Sequence, residues 1–267
     1  MAAGRWTVHP MFRSLHRWSP PRDFVVTGLP RSGTSLLSTL VSEPSDCFCF
    51  NEIHYNHQTL PIFFCHMRHR IRKGLSVPVK VDESGGLATD TMRRGSRVRR
   101  RVIRGKTDSL ALGSNVNVPY LDAIDEILAY RYRVITVVRD PVFTLASWSS
   151  VAAQSIPEAH VMPGDLHLRW ARFPFSGDTR VERQAEIWEH YARHIWSLRG
   201  EAKTIRYEDL CADPAGTLDG ACRHLGVGSA SPTTAIPSRN IETRYSGVQQ
   251  IREVVSRLCP TRVLFGY

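Results

Sequence analysis

Gly28-Leu29-Pro30-Arg31-Ser32-Gly33-Thr34-Ser35 follows the apolar run Phe24 to Thr27 and leads into Gly33 to Val41, a stretch of helical character. The run before it is β-branched and closes at Gly28, as a buried strand does. Strand, glycine-bounded loop and helix with the spacing G-x4-G-x-[ST] is how a backbone wraps a phosphate-like anion, because successive N–H groups and the helix start supply donors. A nucleoside-triphosphate loop needs Lys after the second glycine to reach the outer phosphates. Here Thr34 stands at that position and the cation is Arg31, inside the loop. The expected anion is therefore shorter than a triphosphate tail. A mere turn would need the two glycines but not the donors Arg31, Ser32, Thr34 and Ser35.

Outward from this loop, strands and helices alternate. Cys47 to Phe50 reads as a short strand before Asn51 and Glu52. Tyr120, Ile124, Ile127 and Leu128 share one helical face, and the β-branched run Arg133 to Val138 ends in Arg139-Asp140-Pro141. Pro141 suits the first turn of a helix continuing through Ser147 and Trp148, since its missing N–H would have no acceptor there. Val181, Ala185, Trp188, Ala192 and Ile195 recur at helical spacing, which assigns Trp188 and Trp196 to the core. Lys203 to Tyr207 reads as a strand, and Pro214 to Leu225 as a helix closed by Gly226. From about His57 to Gly113 the periodicity is weak, consistent with a helix, loops and an arginine run, and Ser155 to Gly177 reads as a long loop. The alternation implies an α/β fold with a mostly parallel sheet covered on both faces. There is no internal repeat. One domain over 1–267 is expected, with its core at about 24–226 and an extension at 1–22.

The 267 residues, 42% hydrophobic and 22% charged, exclude a largely disordered or fibrous chain. No run approaches the roughly 18 to 20 apolar residues of a membrane-spanning helix. No apolar h-region stands near the start, so no signal peptide is read. Six cysteines without a CxxC pair or zinc spacing suggest reduced, mostly buried thiols, a cytoplasmic location and no metal. The formal charge of +10 favours an anionic partner. Much of it is local: Arg93, Arg94, Arg97, Arg99, Arg100, Arg101 and Arg104 fall within twelve residues. A solvated loop, an acceptor site for an anionic substrate and a patch for nucleic acid or anionic lipid all remain open for this run. Nucleic acid ranks low, because no aromatics interleave the arginines.

A second candidate anion site is Arg139, at the end of its strand, with Ser147 eight residues later. Ligands of open α/β sheets bind outside the carboxyl ends of strands, so both sites can face one crevice. Together the two resemble the sulfotransferases that use 3′-phosphoadenosine 5′-phosphosulfate (PAPS). Pro30-Arg31-Ser32-Gly33-Thr34-Ser35-Leu36-Leu37 matches that family's first fingerprint, and Val137-Val138-Arg139-Asp140-Pro141 with Ser147 matches its second. A looser third element fits Arg206-Tyr207-Glu208-Asp209-Leu210, Pro214 and Leu225-Gly226. The Pro-Arg-Ser-Gly-Thr loop is closer to the prokaryotic, Golgi and tyrosylprotein members than to the cytosolic small-molecule ones.

The resemblance implies a three-layer fold of the P-loop NTPase type and transfer of a sulfuryl group from PAPS to a hydroxyl or amine. It implies that Arg31, Ser32, Gly33, Thr34 and Ser35 hold the 5′-phosphosulfate, that Arg139 and Ser147 hold the 3′-phosphate, and that Tyr207 lies near the nucleotide. In-line displacement needs alignment, stabilised leaving oxygens and a base for the acceptor proton. Arg31 is assigned to the leaving charge. Glu52, 21 residues past Arg31, is the candidate base, with His54 its rival. The acceptor, a small molecule, glycan or peptide, would meet segments 57–113 and 155–180. Two features depart from the family. Asn115 to Pro119 only approximates a common Lys-Pro or Asn-Pro element, with Lys106 as a weak extra cation. The C-terminal basic loop that often completes the 3′-phosphate site could be Arg239 or Arg244. A P-loop kinase, or a homologue that binds nucleotide or polyanion without turnover, are the alternatives.

Overall fold

The structure, a computed structural model, describes residues 22–90, 96–106, 109–155, 173–230 and 235–267. Five parallel strands form the central sheet: β1 (Phe24–Gly28), β2 (Cys47–Asn51), β5 (Ala111–Asn115), β6 (Arg133–Val138) and β7 (Lys203–Arg206). Their order across the sheet is β2-β5-β1-β6-β7. After β1 the chain crosses to β2 at one edge, comes back to insert β5 beside β1, and then builds β6 and β7 on the other side, which makes the end of β1 a topological switch point. The α/β reading, with a mostly parallel sheet between helical layers, holds.

Period-two alternation sends side chains of each strand to two cores. Phe24, Val26, Ile135, Val137 and Ile205 meet α1 (Thr34–Leu40), α7 (Tyr207–Ala212) and α8 (Pro214–Leu225) through Leu37, Leu210 and Leu218. Val25, Phe48, Phe50, Leu112, Val134 and Val138 face the other layer. That layer comprises α2 (Leu60–Arg72), α3 (Val118–Asp122), α4 (Ile124–Ala129), α5 (Pro141–Ser155), α6 (Arg180–Ser197) and α9 (Val248–Leu258). Trp188 is fully buried there, and Trp196 packs against the same core. Helix α6 starts at a capping box, with Thr179 and Glu182 bonding each other's backbone.

Three expectations need correction. The middle of the arginine run, for which a solvated loop is one reading of the sequence, is a strand: β4 (Arg97–Arg101) pairs antiparallel with β3 (Val77–Val81) as a separate two-stranded ribbon. All five residues of β4 are exposed, while Arg93 and Arg94 lie outside the described residues. The weakly patterned stretch up to Gly113 hides β5, which sits between β2 and β1. A Cβ at Gly113 would fall 2.3 Å from the Phe24 ring, so glycine is required there by packing, at the expense of strand propensity. The single helix expected through Tyr120 and Leu128 is two short ones, α3 and α4, meeting at Ala123. Most of the loop expected from Ser155 to Gly177 lies outside the described residues.

All six cysteines are free; four are buried, Cys211 is half-buried and Cys65 is exposed. Among the described residues no helix is long and apolar enough to cross a membrane.

Candidate active site

Because all five strands run parallel, their carboxyl ends share one edge, and the candidate residues line that edge in strand order. Glu52 follows β2, Asn115 ends β5, the glycine loop follows β1, Arg139 follows β6 and Tyr207 follows β7. With strands about 4.8 Å apart, Glu52 and the loop are separated by roughly 10 Å at the backbone.

The loop is tightly wound. Arg31 has φ 69° and Gly33 φ 96°, both in the left-handed region. Arg31 holds this conformation without glycine's freedom, a strain that recurs at ligand-binding loops. A Cβ at Gly33 would lie 2.7 Å from the Tyr207 ring, so Tyr207 closes one wall of the cradle. Thr34 donates its hydroxyl to Asn117 Oδ1 at 2.8 Å, and Thr27 donates to the Asn117 carbonyl at 2.8 Å, which fixes the start of α1 to the segment after β5. Ser32 is fully buried, and its Oγ has no hydrogen-bond partner among the described residues. A buried hydroxyl left without a partner in a loop of this shape suits an oxyanion that would accept from it. Ser35 is buried in the first turn of α1.

Arg139 is only 4% exposed. Its Nε donates to Asn240 Oδ1 at 2.8 Å, Nη1 to the Arg31 carbonyl at 3.0 Å and Nη2 to the Arg239 carbonyl at 3.1 Å. Its guanidinium stacks on the Tyr207 ring at 4.7 Å. The Tyr207 hydroxyl accepts from the Arg239 N–H at 3.0 Å, and burial pushes that phenol up to about 12. Arg139 therefore neither pairs with Asp140 nor bonds Ser147. Ser147 instead accepts from Arg31 Nε at 3.1 Å. The structure brings Arg31, Arg139, Ser147 and Tyr207 together, with Arg31 in the middle.

Glu52 also has a positive φ, 50°. Its N–H donates to the Asn115 carbonyl at 2.8 Å, and Lys80 on β3 holds Oε2 at 2.5 Å. His54 is turned to its own loop: Nε2 lies 2.9 Å from Thr59 Oγ1 and the ring stacks on Phe63 at 4.5 Å. Burial pushes its pKa down. Lys106 is not part of the site, since Nζ donates to the Ser42 and Pro44 carbonyls, each at 2.6 Å. Arg239 reaches the site and Arg244 stands exposed in the turn Glu242–Arg244.

Sequence reasoning missed Asn117, Asn240, Lys80 and Asp90. Asp90 receives both Arg31 Nη atoms, at 2.9 and 3.2 Å, and Arg239 Nη1 at 3.2 Å. Of these only Asn117, inside the imperfect Asn-Pro element, carried a local signal.

A glycine loop at the switch point of a parallel sheet, ringed by arginines and hydroxyls, is the arrangement of an α/β protein suited to a phosphate-like anion. The model of the sulfotransferase family matches residues 22–230, and the chain belongs to that family of sulfuryl-transferring enzymes. Solved structures similar to it include a sulfotransferase from Alicyclobacillus acidocaldarius, at 16% identity with 89% of this chain and 95% of that chain covered and a TM-score of 0.43. Sulfotransferase STF1 from Mycobacterium tuberculosis H37Rv is similar at 17% identity, covering 93% and 80%, with a TM-score of 0.46. STF9 from Mycobacterium avium is similar at 13% identity, covering 93% and 78%, with a TM-score of 0.47. Among curated protein sequences none matches.

Proposed function

We propose that this sulfotransferase takes its sulfuryl group from PAPS and passes it to a hydroxyl or amine of its acceptor. The observation that carries the donor reading is the pairing of a Walker-like loop lacking its lysine with a separate, buried Arg139. A donor with one short anionic tail and a second phosphate matches two such ends, whereas a triphosphate would call for a lysine where Thr34 stands. Arg31, Ser32, Gly33, Thr34 and Ser35 would hold the 5′-phosphosulfate, with Ser32 Oγ as an available donor. Arg139, Tyr207 and Arg239 would hold the 3′-phosphate end, and Ser147 acts beside them through Arg31.

When bound, PAPS supplies the activated sulfuryl group and a phosphate leaving group. Arg31 counters the charge that develops on the leaving oxygens. Glu52 accepts the acceptor's proton at Oε1, since Lys80 occupies Oε2 and fixes the carboxylate plane. His54 is the weaker candidate because its ring is engaged with Thr59 and Phe63.

Calorimetric titration tests the donor reading: adenosine 3′,5′-bisphosphate binds, and ATP with magnesium binds far more weakly. Strong ATP binding without bisphosphate binding would move the protein to the kinase class. Bisphosphate binding by a protein that transfers sulfate to no acceptor would favour a non-catalytic homologue. Once an acceptor is in hand, Glu52→Gln lowers kcat by at least about a hundredfold while bisphosphate affinity stays constant, the range expected for a lost general base. Near-normal turnover of that variant, with His54→Ala inactive, reverses the assignment of the base.

A further inference from the structure

The cations that would meet the donor already hold an anion of the protein's own. Asp90 Oδ1 and Oδ2 form a two-pronged pair with Arg31 Nη1 and Nη2 at 2.9 and 3.2 Å, and Oδ2 also takes Arg239 Nη1 at 3.2 Å. The Asp90 and Arg31 side chains are 16% and 18% exposed, so water screens this contact little. A carboxylate with its two oxygens on one guanidinium and a second cation on one of them imitates the way a phosphate or sulfate edge binds arginines.

The chain before Asp90 is fixed to the sheet and the ribbon by residues other than Asp90. Ala88 is anchored at both ends of its backbone: its N–H donates to the Lys80 carbonyl at 3.0 Å, and its carbonyl accepts from Asn51 Nδ2 at 3.0 Å and Thr39 Oγ1 at 3.5 Å. Asp90 stands two residues past this anchor, a reach of up to about 7 Å. The β3–β4 pairing and the Asn51 bond are made by other residues, so neither depends on the contact between Asp90 and the arginines.

We propose that Asp90 is an intramolecular stand-in for the donor's anion, which neutralises Arg31 and Arg239 in the free enzyme and is displaced when the nucleotide binds. The inference rests on the donor reading above. It follows that Asp90 lowers affinity for every anion at this site and leaves a net advantage only to a ligand that engages both arginine ends. Arg31 Nη1 and Nη2 and Arg239 Nη1 already donate to Asp90, and an anion brought to them meets a like charge at contact distance, so nucleotide and Asp90 compete.

Asp90→Asn keeps the size and one acceptor oxygen but removes the charge; Asp90→Ala removes both. Calorimetry on the full chain, with adenosine 3′,5′-bisphosphate and separately with inorganic phosphate, reads the effect, and circular dichroism checks that each variant is folded. Both variants should bind each probe about tenfold more tightly than the unsubstituted protein, in the range of coupling measured for close charge pairs. Unchanged or weaker binding of both probes overturns the inference and makes Asp90 a residue that orients Arg31. If no form of the protein binds the bisphosphate, the donor reading fails, and the phosphate titrations still decide whether Asp90 screens the arginines.

Discussion

Gly33→Ala probes the cradle more directly than removal of any donor. Two penalties combine at this position. The backbone sits at φ 96°, ψ 13°, where a side chain costs about 1 to 2 kcal/mol. The added Cβ would also lie 2.7 and 3.3 Å from two carbons of the Tyr207 ring. That ring cannot simply step back, because Arg139 stacks on it at 4.7 Å and its hydroxyl accepts the Arg239 N–H. Overpacking of this kind adds about 1 to 3 kcal/mol. The total loss of stability should be about 2 to 5 kcal/mol.

Gly74→Ala supplies the control, since Gly74 has φ 65° but nothing within 4 Å of an added Cβ. It carries the backbone penalty alone. Urea denaturation of both variants isolates the Tyr207 clash as their difference, about 1 to 3 kcal/mol. Because displacement of Tyr207 moves the surface on which Arg139 rests, Gly33→Ala should also weaken adenosine 3′,5′-bisphosphate binding by tenfold or more, while Gly74→Ala leaves it unchanged. Equal destabilisation by the two substitutions, within about 0.5 kcal/mol, together with unaltered binding would refute the coupling of loop, Tyr207 and Arg139.

Two further outcomes concern stability. Asp23, 2% exposed, accepts from Arg68 Nη2 at 2.5 Å and from the Leu112 N–H at 2.9 Å, which ties β1, α2 and β5 together. Asp23→Ala leaves Arg68 buried without its partner and should cost about 3 to 5 kcal/mol in urea denaturation; a loss below about 1 kcal/mol would contradict this account. Burial lowers the pKa of His54, His190 and His224. Below 6.5 the unfolded chain therefore binds protons that the folded chain refuses, so stability falls as pH drops from 6.5 toward the lower folded values, by at most about 1.4 kcal/mol per unit for each histidine. Thermal unfolding should occur at lower temperature at pH 5.5 than at pH 7.5, and a flat or inverted profile would overturn the assignment.

The parts of the molecule legible in the sequence are those fixed by short-range constraints. β1, the glycine loop, α1, β6 and the start of α5 follow from β-branched runs, two glycines and Pro141, and the structure has them where the pattern puts them. β5 escapes because its centre must be Gly113 under the Phe24 ring, a demand made by a residue 89 positions earlier. The arginines of β4 read as loop because alternation fails there: Arg97, Arg99 and Arg101 lie opposite the buried Val81, Val79 and Val77 yet stay exposed. Asn117, Lys80 and Asp90 belong to the site only through tertiary contacts with Thr34, Glu52 and Arg31. No local pattern marks Lys80 or Asp90, and only the imperfect Asn-Pro element hints at Asn117. Arg139 was legible as a cation at a strand end, with Tyr207 and Arg239 as candidates beside it, but Asn240 was not, since it comes from 101 residues away.

That long-range support bears on why Arg139 is suited to an anion. Its three nitrogens each donate to a neutral oxygen, one side-chain amide and two carbonyls, so hydrogen bonding engages them without cancelling the charge. A buried cation held in this way is costly unless a negative group arrives, which is the inverse of the buried Asp23–Arg68 pair elsewhere in the same core. Glu208 keeps the arrangement in register. Its Oε1 takes the Asn240 amide at 2.7 Å and the Asp140 N–H at 3.1 Å, and its Oε2 takes the Tyr267 hydroxyl at 2.7 Å. One carboxylate at the start of α7 thus fastens the end of β6, the segment carrying Arg239 and Asn240, and the last residue of the sequence. The Arg-Tyr-Glu element earns its place next to the loop on these grounds: Tyr207 supplies the surface under Arg139, and Glu208 holds the segment that aims it.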